Sequence, residues 1–429
     1  MRLAVARSAG HASGVCSRDT AATARCAISP TLIAAVDPPH RHPACGSDAS
    51  RSEAEIVESE ATERPFARIG QELRLNSRWV DLRIPANQAI MRTQSAICTL
   101  FREALLERGF VEIHTPKLIA GESEGGAGVF TTDYFGQTAC LAQSPQLYKQ
   151  MAISADLERV FEIGPVFRAE KSNTRRHLCE FTGLDLEMAF HLHYNEVIDV
   201  LHTLFVNIFD GLETRHAAEL ATIREQYPSE RPRWTEKPVI VHWEEANQIL
   251  RDAGEEPPGF EDLNTVQERT LGRLIADKYD TDFYFLDRFP SGVRPFYTMP
   301  CPDDRRYSNS YDVFLRGTCR SSPPPPSSRS LHQRAAPLFT PNGEPVTPAG
   351  EEICSGAQRV HEPELLIETI KGKGAAVEPL SAYIDAMRHG MPPHGGGGIG
   401  LERVVFLYLG LDNVRKASMF PRDPSRCSP

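Results

Sequence analysis

The stretch of sequence that decides the fold is residues 161–190, FEIGPVFRAEKSNTRRHLCEFTGLDLEMAF. An apolar run, residues 160–163, is separated by a Gly-Pro break from a second run that ends in the FRAE of residues 167–170. A basic loop follows, and apolar and acidic side chains then alternate along residues 184–188. Because a two-residue period is typical of a strand, we expect two strands joined by this loop.

The charged side chains of this hairpin suit a nucleotide. The guanidinium of Arg168 can bind phosphate oxygens through two parallel hydrogen bonds. The carboxylates of Asp185 and Glu187 can hold magnesium or an ammonium group. For any one of these charges a solvated surface position is the simpler interpretation. The complete spacing, FRAE-x(6)-H-x(2)-EF, favours a binding site.

This spacing resembles motif 2 of the class II aminoacyl-tRNA synthetases, in particular the aspartate-specific members of the eukaryotic cytosol and of archaea. The resemblance extends from about residue 74 to the C-terminus, apart from one insertion. It implies an α+β fold in which an antiparallel β-sheet is flanked by helices. Four further motifs carry it in order: QSPQLYKQ at 143–150, SNSYD at 308–312, SGAQR at 355–359 and GGGIGLERV at 396–404.

The resemblance implies that the chain activates L-aspartate with ATP to aspartyl-adenylate and transfers it to the 3′ end of tRNA(Asp) in cytoplasmic translation. The α-carboxylate of the substrate attacks the α-phosphorus, so catalysis rests on positioning and on neutralising charge. Arg168 and Arg403 are the implied catalytic residues. Mg²⁺ is the implied cofactor, bound with ATP and held by Glu352.

The same resemblance assigns the other contacts with substrates. The fork of Arg359 and the point charge of Lys149 would distinguish aspartate from the nearly isosteric asparagine by charge. The residues implied for aspartate are Glu124, Gln146, Lys149, Arg168, Asp185, Ser355 and Arg359. The residues implied for ATP are Arg168, Glu170, Arg176, His177, Leu178, Glu352, Gly400, Leu401, Glu402 and Arg403.

The composition limits the class of protein and its compartment. The formal net charge is −10, so an RNA partner would need a local basic patch. No apolar run is long enough to span a bilayer, so no membrane partner is expected. The ten cysteines include no C-x-x-C pair, which predicts no structural zinc site and free thiols in a reducing compartment; the resemblance implies that this compartment is the cytoplasm.

The first 62 residues lack the periodicity of a folded domain. Residues 1–36 are compatible with an organellar transit peptide, but the acidic stretch that follows favours a segment that does not fold. The family carries an anticodon-binding β-barrel of the OB-fold type here. We expect this barrel to be missing, with residues 63–85 as its trailing linker and residues 86–429 as the catalytic domain.

An amphipathic helix is predicted over residues 87–108, capped by Asn87 or Asp81. In the family this helix and the following strand form motif 1, which implies a homodimer. A Gly-rich loop at residues 121–128 is implied to close over the amino acid. Further along, residues 296–299 predict a strand, and the glycines of residues 395–398 predict a phosphate-binding loop before the last helix.

Residues 318–350 interrupt the resemblance between an Arg-Gly and the Glu-Glu-Ile that follows it directly in the family. Their proline-rich composition cannot form a strand ladder, and their ends fit splice signals, so we interpret them as a retained intron. The alternative is a proline-rich loop that binds a partner. We expect the strands on both sides to pair in either case, because closure entropy grows slowly with loop length.

Two other functions remain open. One is a synthetase of the same class that is specific for asparagine, and Lys149 argues against it. The other is a defective or non-catalytic relative, which the missing barrel and the insertion beside Glu352 favour. ATP–pyrophosphate exchange with aspartate and with asparagine would separate all three functions.

Overall fold

The computed structural model describes residues 69–120, 128–316 and 350–428, and this part of the chain is built around one large β-sheet. Glu124 and all but the last residue of the insertion lie outside the described residues. In chain order the strands are β1 (Val111–Glu112), β2 (Leu118–Ile119), β3 (Thr131–Tyr134), β4 (Gln137–Leu141), β5 (Arg159–Phe167), β6 (Glu180–Ala189), β7 (Ile240–His242), β8 (Phe283–Asp287), β9 (Ser310–Leu315), β10 (Glu351–Gln358) and β11 (His394–Gly400).

Helices cover the sheet and connect its strands. In chain order they are α1 (Gln71–Asn76), α2 (Arg78–Asp81), α3 (Pro85–Leu106), α4 (Gln146–Ala152), α5 (Asn195–Arg215), α6 (Ala217–Gln226), α7 (Trp243–Asp252), α8 (Thr265–Tyr279), α9 (Pro363–Gly372), α10 (Ser381–Arg388) and α11 (Leu401–Tyr408). Short 3₁₀ turns occur at Ser291–Val293, Glu378–Leu380 and Val414–Lys416, and a π-helical turn occurs at Ile153–Leu157.

The strands of the large sheet lie in the order β1-β5-β6-β11-β10-β9-β8-β7. Neighbouring strands from β5 to β8 are antiparallel, whereas β1 with β5 and β7 with β8, at the two edges, are parallel. The largest apolar cluster packs α3, α5 and α11 against one face of this sheet. The predicted α+β fold, an antiparallel sheet flanked by helices, is therefore confirmed.

The predicted hairpin of β5 and β6 is confirmed, and the two strands pair along their full length. The predicted break at Gly164-Pro165 is wrong, because β5 runs through both residues. Pro165 lies opposite Thr182, whose N–H turns away from β5 and donates to Glu402 at 3.0 Å. At this position the ladder needs no N–H donor from β5, so proline costs no hydrogen bond between the two strands.

The glycines predicted to form a phosphate-binding loop are instead the middle of strand β11, which pairs with β6 on one side and β10 on the other. A Cβ atom at Gly396 would lie 2.6 Å from Glu187 Oε2 and closer still to the carbonyl oxygen of Leu186. The glycines therefore permit a close approach of neighbouring strands, and only Gly400 lies at the start of a helix.

Helix α3 begins at Pro85, and neither predicted cap holds its start. Proline is favourable there because the first N–H of a helix has no acceptor within the helix. Asn87 lies inside the first turn and donates to the carbonyl oxygen of Asp81 at 2.9 Å. The predicted apolar face is buried within the protomer: Ile90, Ile97, Phe101 and Leu105 have no exposed surface. A partner subunit is therefore not needed to cover this face.

Residues 296–299 do not form the predicted strand, and Thr298 makes only an isolated bridge with Arg359. Phe296 and Tyr297 instead belong to an apolar cluster with α9 and α10. These residues are apolar because they are buried. A run of only four residues cannot show whether buried side chains belong to a strand or to a loop.

The strands on both sides of the insertion pair as predicted. Leu315, at the end of β9, lies opposite Glu351, at the start of β10. Arg316 and Gly350 are neighbours, since a Cβ atom at Gly350 would lie 2.8 Å from the carbonyl oxygen of Arg316. The expectation of paired flanking strands is confirmed, and the interpretation as a retained intron stays a prediction.

Candidate active site

A cavity of about 330 Å³ opens on the sheet face opposite the main apolar cluster. Alternation along β6 produces the two faces, because Leu184 and Leu186 enter the cluster while Asp185 lines the cavity. Most predicted site residues meet here: Gln146, Arg168, Glu170, Arg176, His177, Leu178, Asp185, Glu352, Ser355, Arg359, Gly400, Glu402 and Arg403.

Two predicted residues do not line the cavity. Lys149 is fully buried just behind it. The side chain of Leu401 is buried in the main apolar cluster, where it packs the start of α11, so the predicted contact with ATP would have to come from its backbone. The predicted residue Glu124 lies outside the described residues.

One end of the cavity is organised by Arg359, which is nearly fully buried. Its Nε donates to Glu187 Oε1 at 2.9 Å, and Nη2 donates to Gln146 Oε1 at 3.1 Å and to the carbonyl oxygen of Gly396 at 3.0 Å. Glu187, on β6, thus fixes the plane of the guanidinium. The guanidinium of Arg359 therefore lies at the cavity as predicted, but its Nε and Nη2 donors already bind groups of the protein.

Lys149 supplies a second buried cation at this end. It comes from α4, and its Nζ donates to Asp185 Oδ1 at 2.9 Å and lies 3.6 Å from Glu187 Oε2. Gln146 and Lys149 lie three residues apart on this helix, and both side chains point to β6. Two cations and two carboxylates therefore meet beside the cavity.

The charge states of this network follow from burial and from neighbours. Burial works to raise the pKa of Glu187, but Arg359 and Lys149 outweigh it and leave that pKa lowered. Burial lowers the pKa of His394 to about 4, against the opposing charge of Glu187. At neutral pH the carboxylate is therefore ionised and the imidazole is neutral.

The other end of the cavity is basic. Arg168 follows β5, and its guanidinium carbon lies 5.6 Å from the centre of the Phe181 ring. Arg403, on α11, donates to the carbonyl oxygen of Glu352 at 3.1 Å and lies 3.5 Å from its Oε2. Two arginines and a carboxylate thus border the space that a nucleotide would occupy.

Residues of the loop between β5 and β6 border the same end. Arg176 Nη1 donates to Glu268 on α8 at 2.6 Å. His177 Nδ1 lies 2.5 Å from Thr174 Oγ1, and its Nε2 lies 3.8 Å from Glu170. Burial lowers the pKa of His177, so its ring is neutral at pH 7. The ring can therefore stack or accept a hydrogen bond at a nucleotide.

These motifs and their geometry match a known family along most of the chain. The family described as "tRNA synthetases class II (D, K and N)" matches residues 70–321 and 332–424. The chain belongs to this family. The gap in the match, residues 322–331, falls inside the insertion.

Curated relatives place this synthetase with the aspartate-specific members. The chain is 51% identical over 382 residues to "Aspartate--tRNA ligase 1, cytoplasmic" of Arabidopsis thaliana, covering 89% of this chain and 66% of the relative. It is 51% identical over 372 residues to "Aspartate--tRNA ligase, cytoplasmic" of Homo sapiens, covering 87% and 68%. The chain thus spans about two thirds of the length of these relatives, and the predicted resemblance is confirmed.

Solved structures of synthetases share the fold of this chain. An aspartyl-tRNA synthetase from Entamoeba histolytica is 45% identical with a TM-score of 0.75, covering 89% of this chain and 69% of that chain. An asparaginyl-tRNA synthetase from Pyrococcus horikoshii, complexed with asparaginyl-adenylate, is 31% identical with a TM-score of 0.70, covering 84% and 74%. The fold is thus shared by both specificities.

Glu402 of this synthetase, predicted to contact ATP, turns its carboxylate toward the protein. The two oxygens accept the backbone N–H of Thr182 at 3.2 and 3.0 Å, and Gln94 of α3 lies at 3.5 Å. Burial raises the pKa of Glu402 to about 7. The residue therefore joins α3, β6 and α11 at the edge of the cavity.

Sequence reasoning gave no role to two residues that the structure brings into the site. Arg294 lines the cavity and donates from Nη2 to Asp312 Oδ2 at 2.8 Å. Burial raises the pKa of Asp312 to about 6, Arg294 opposes this shift and the nearby charge of Glu352 adds to it. The signal for Asp312 was present in SNSYD, where the acid follows buried neighbours; Arg294 has no local signal.

Asp312 and Glu352 could hold the magnesium ion that accompanies ATP. Asp312 Oδ1 is buried and has no hydrogen-bond partner among the described residues, which suits a metal-facing oxygen. No group of three or more His, Cys, Asp or Glu within residues 69–120, 128–316 and 350–428 forms a complete metal site. Magnesium fits two carboxylates because it is commonly completed by water and substrate phosphates.

Proposed function

We propose that this chain is an aspartate–tRNA ligase, which forms aspartyl-adenylate from L-aspartate and ATP and transfers the aspartyl group to tRNA(Asp). The observation that carries the proposal is the pair of buried cations, Lys149 and Arg359, at one end of a cavity whose other end holds Arg168 and Arg403. The identity to aspartate–tRNA ligases supports the same activity.

Selection of aspartate follows from charge. A side-chain carboxylate entering beside Arg359 gains that cation as a direct neighbour and the charge of Lys149 behind it, whereas the amide of asparagine would turn an NH₂ group toward donors. Glu187 and Gln146 hold the guanidinium of Arg359 in place before substrate arrives, so little reorganisation is needed.

The remaining site residues act by positioning and by neutralising charge. Arg168 would bind the substrate α-carboxylate and the α-phosphate together, which brings the attacking oxygen to phosphorus. Arg403 would neutralise the outer phosphates, and Glu170 and His177 would contact the adenine. Magnesium, held by Glu352 and Asp312, would supply further positive charge between the phosphates when ATP is bound.

The remaining partners are the acceptor end of tRNA(Asp) and a second copy of this chain. The exposed side chains of Leu106, Val111 and Leu118 are 55%, 45% and 49% accessible. Strand β1, which carries Val111, has an unpaired edge in the described sheet. We propose that these residues form a two-fold dimer contact, because their apolar side chains and the unpaired strand edge are otherwise left in water.

The proposed location is the cytoplasm, where the named relatives act. In the described residues no helix is long and apolar enough to cross a membrane.

ATP–pyrophosphate exchange tests the proposed function. The purified chain is expected to exchange label in the presence of aspartate, and at least about 10³-fold less efficiently with asparagine. Exchange that prefers asparagine would establish the other specificity. Absence of exchange with either amino acid, in a protein that still melts cooperatively, would establish a non-catalytic relative.

A further inference from the structure

Arg294 is held in a fixed, largely buried position at the base of the cavity. Its guanidinium carbon lies 3.7 Å from the centre of the Phe289 ring, and only 12% of its side chain is exposed. Stacking on the ring fixes the guanidinium plane, because a cation favours the face of an aromatic ring. The side chain therefore has one orientation in which its donors can act.

Two donors of this guanidinium bridge two neighbouring strands. Nη1 donates to Ser355 Oγ on β10 at 3.1 Å, and Nη2 donates to Asp312 Oδ2 on β9 at 2.8 Å. Ser355 and Asp312 are themselves register partners across these strands. Arg294 thus connects Ser355, which is predicted to contact aspartate, with Asp312, which could hold the magnesium ion.

We propose that Arg294 is a positioning residue for adenylate formation, which holds Asp312 so that its second carboxylate oxygen is presented to the metal of bound Mg·ATP. The inference rests on the proposed function. It follows from the division of the carboxylate: Oδ2 is taken by Arg294, while Oδ1 is buried and has no hydrogen-bond partner within the described residues.

An arginine is required for this task. The planar fork reaches two acceptors on different strands at once, whereas a lysine is a single flexible point charge. A residue that orients a metal ligand typically changes metal affinity about 10–100-fold when it is removed. Arg294 should therefore affect the contribution of magnesium to nucleotide binding more than it affects the nucleotide itself.

Calorimetry with α,β-methylene ATP, which cannot be cleaved at the reacting bond, measures this contribution without turnover. The ratio of the dissociation constants without and with Mg²⁺ gives the coupling between metal and nucleotide. We expect Arg294→Gln to reduce this coupling about tenfold, with the metal-free dissociation constant changed less than twofold. Arg294→Lys should recover at most a small part of the loss.

Arg288→Gln is the matched control. Arg288 makes a similar pair with Asp303, at 2.7 Å, but lines a separate cavity. This variant should keep the full magnesium coupling. If Arg294→Gln does not fold, Phe289→Leu loosens the guanidinium without removing its charge and should reduce the coupling about threefold.

Unchanged coupling in a folded Arg294→Gln, or full recovery by lysine, would overturn the inference. Equal losses in metal-free and magnesium-bound affinity would also overturn it, because they would show a general effect on the fold. The coupling is measured without aspartate, so its result stays distinct from the exchange assay. Failure of the wild-type chain to exchange with aspartate would instead defeat the proposed function.

Discussion

At the scale of single residues, Glu402 carries a charge that the fold disfavours. The residue is 5% exposed, and burial raises the pKa of its carboxyl to about 7, with the charge of Glu180 adding to the shift and the Thr182 N–H opposing it. Gln94 and the thiol of Cys98 face it from α3. A raised carboxyl pKa means that its contribution to stability is complete at low pH and is lost as the pH rises through 7.

Glu402→Gln should therefore remove a pH dependence of stability. The wild-type free energy of unfolding should fall between pH 5 and pH 8 by up to about 3 kcal/mol from this group, whereas the variant should lose correspondingly less. Urea denaturation at both pH values measures the difference, with the exposed Glu261→Gln as control. Parallel losses in wild type and Glu402→Gln would contradict the assignment.

Arg359→Leu should abolish aspartate-dependent exchange while ATP binding survives. The change removes the fork and leaves Glu187 buried without its main partner, which costs about 3–5 kcal/mol in such pairs. The double variant Arg359→Leu/Glu187→Gln should recover stability without recovering exchange. Exchange by either variant near the wild-type rate would show that Arg359 does not select the substrate.

Motif reasoning found most site residues because they lie close together in the sequence. Arg168 and Asp185 flank one loop, and their approach follows from pairing its strands. Arg294 and Ser355 are 61 positions apart and meet only through tertiary packing. Leu401 shares a motif with Arg403, but the helix turns its side chain to the core, which the motif alone does not predict.

At the scale of elements, strand β11 depends on its glycines. Gly396→Ala would place a methyl group against the carbonyl oxygen of Leu186 and the carboxylate of Glu187. We expect a loss of roughly 1–3 kcal/mol in unfolding free energy and a raised KM for aspartate, since Glu187 orients Arg359. The KM for ATP should change little.

Gly372→Ala is the control, because a Cβ atom there meets open space at the end of α9. Urea denaturation and exchange kinetics measure both variants. An equal KM for aspartate in Gly396→Ala and wild type would show that the close approach has no role in binding.

Long elements with a clear period were predictable, and short or glycine-rich ones were not. The helix α3 and the hairpin β5–β6 follow from their spacing of apolar residues. The strand β11 has no side-chain pattern over its glycines, so backbone pairing alone defines it. The strand predicted at residues 296–299 was wrong for the reverse reason, since these residues are apolar but do not pair in a strand ladder.

At the scale of the whole molecule, the edge of β1 is the predicted dimer contact. Val111→Asp would bury a charge at the proposed two-fold interface, so we expect the chain to sediment as a monomer at micromolar concentration. Val266→Asp is the control, because Val266 is 61% exposed on α8, far along the chain from motif 1. A wild-type monomer, or a dimer that survives Val111→Asp, would contradict the proposal.

The adjacent ends of β9 and β10 also define a place for protein engineering. Arg316 and Gly350 lie side by side, so any folded module whose own termini lie close together can replace the segment between them without moving either strand. Glu352 is only two residues beyond this junction. A circularly permuted fluorescent protein placed there would connect its chromophore to the nucleotide side of the cavity, so that the occupancy of the enzyme is recorded as a change in emitted light.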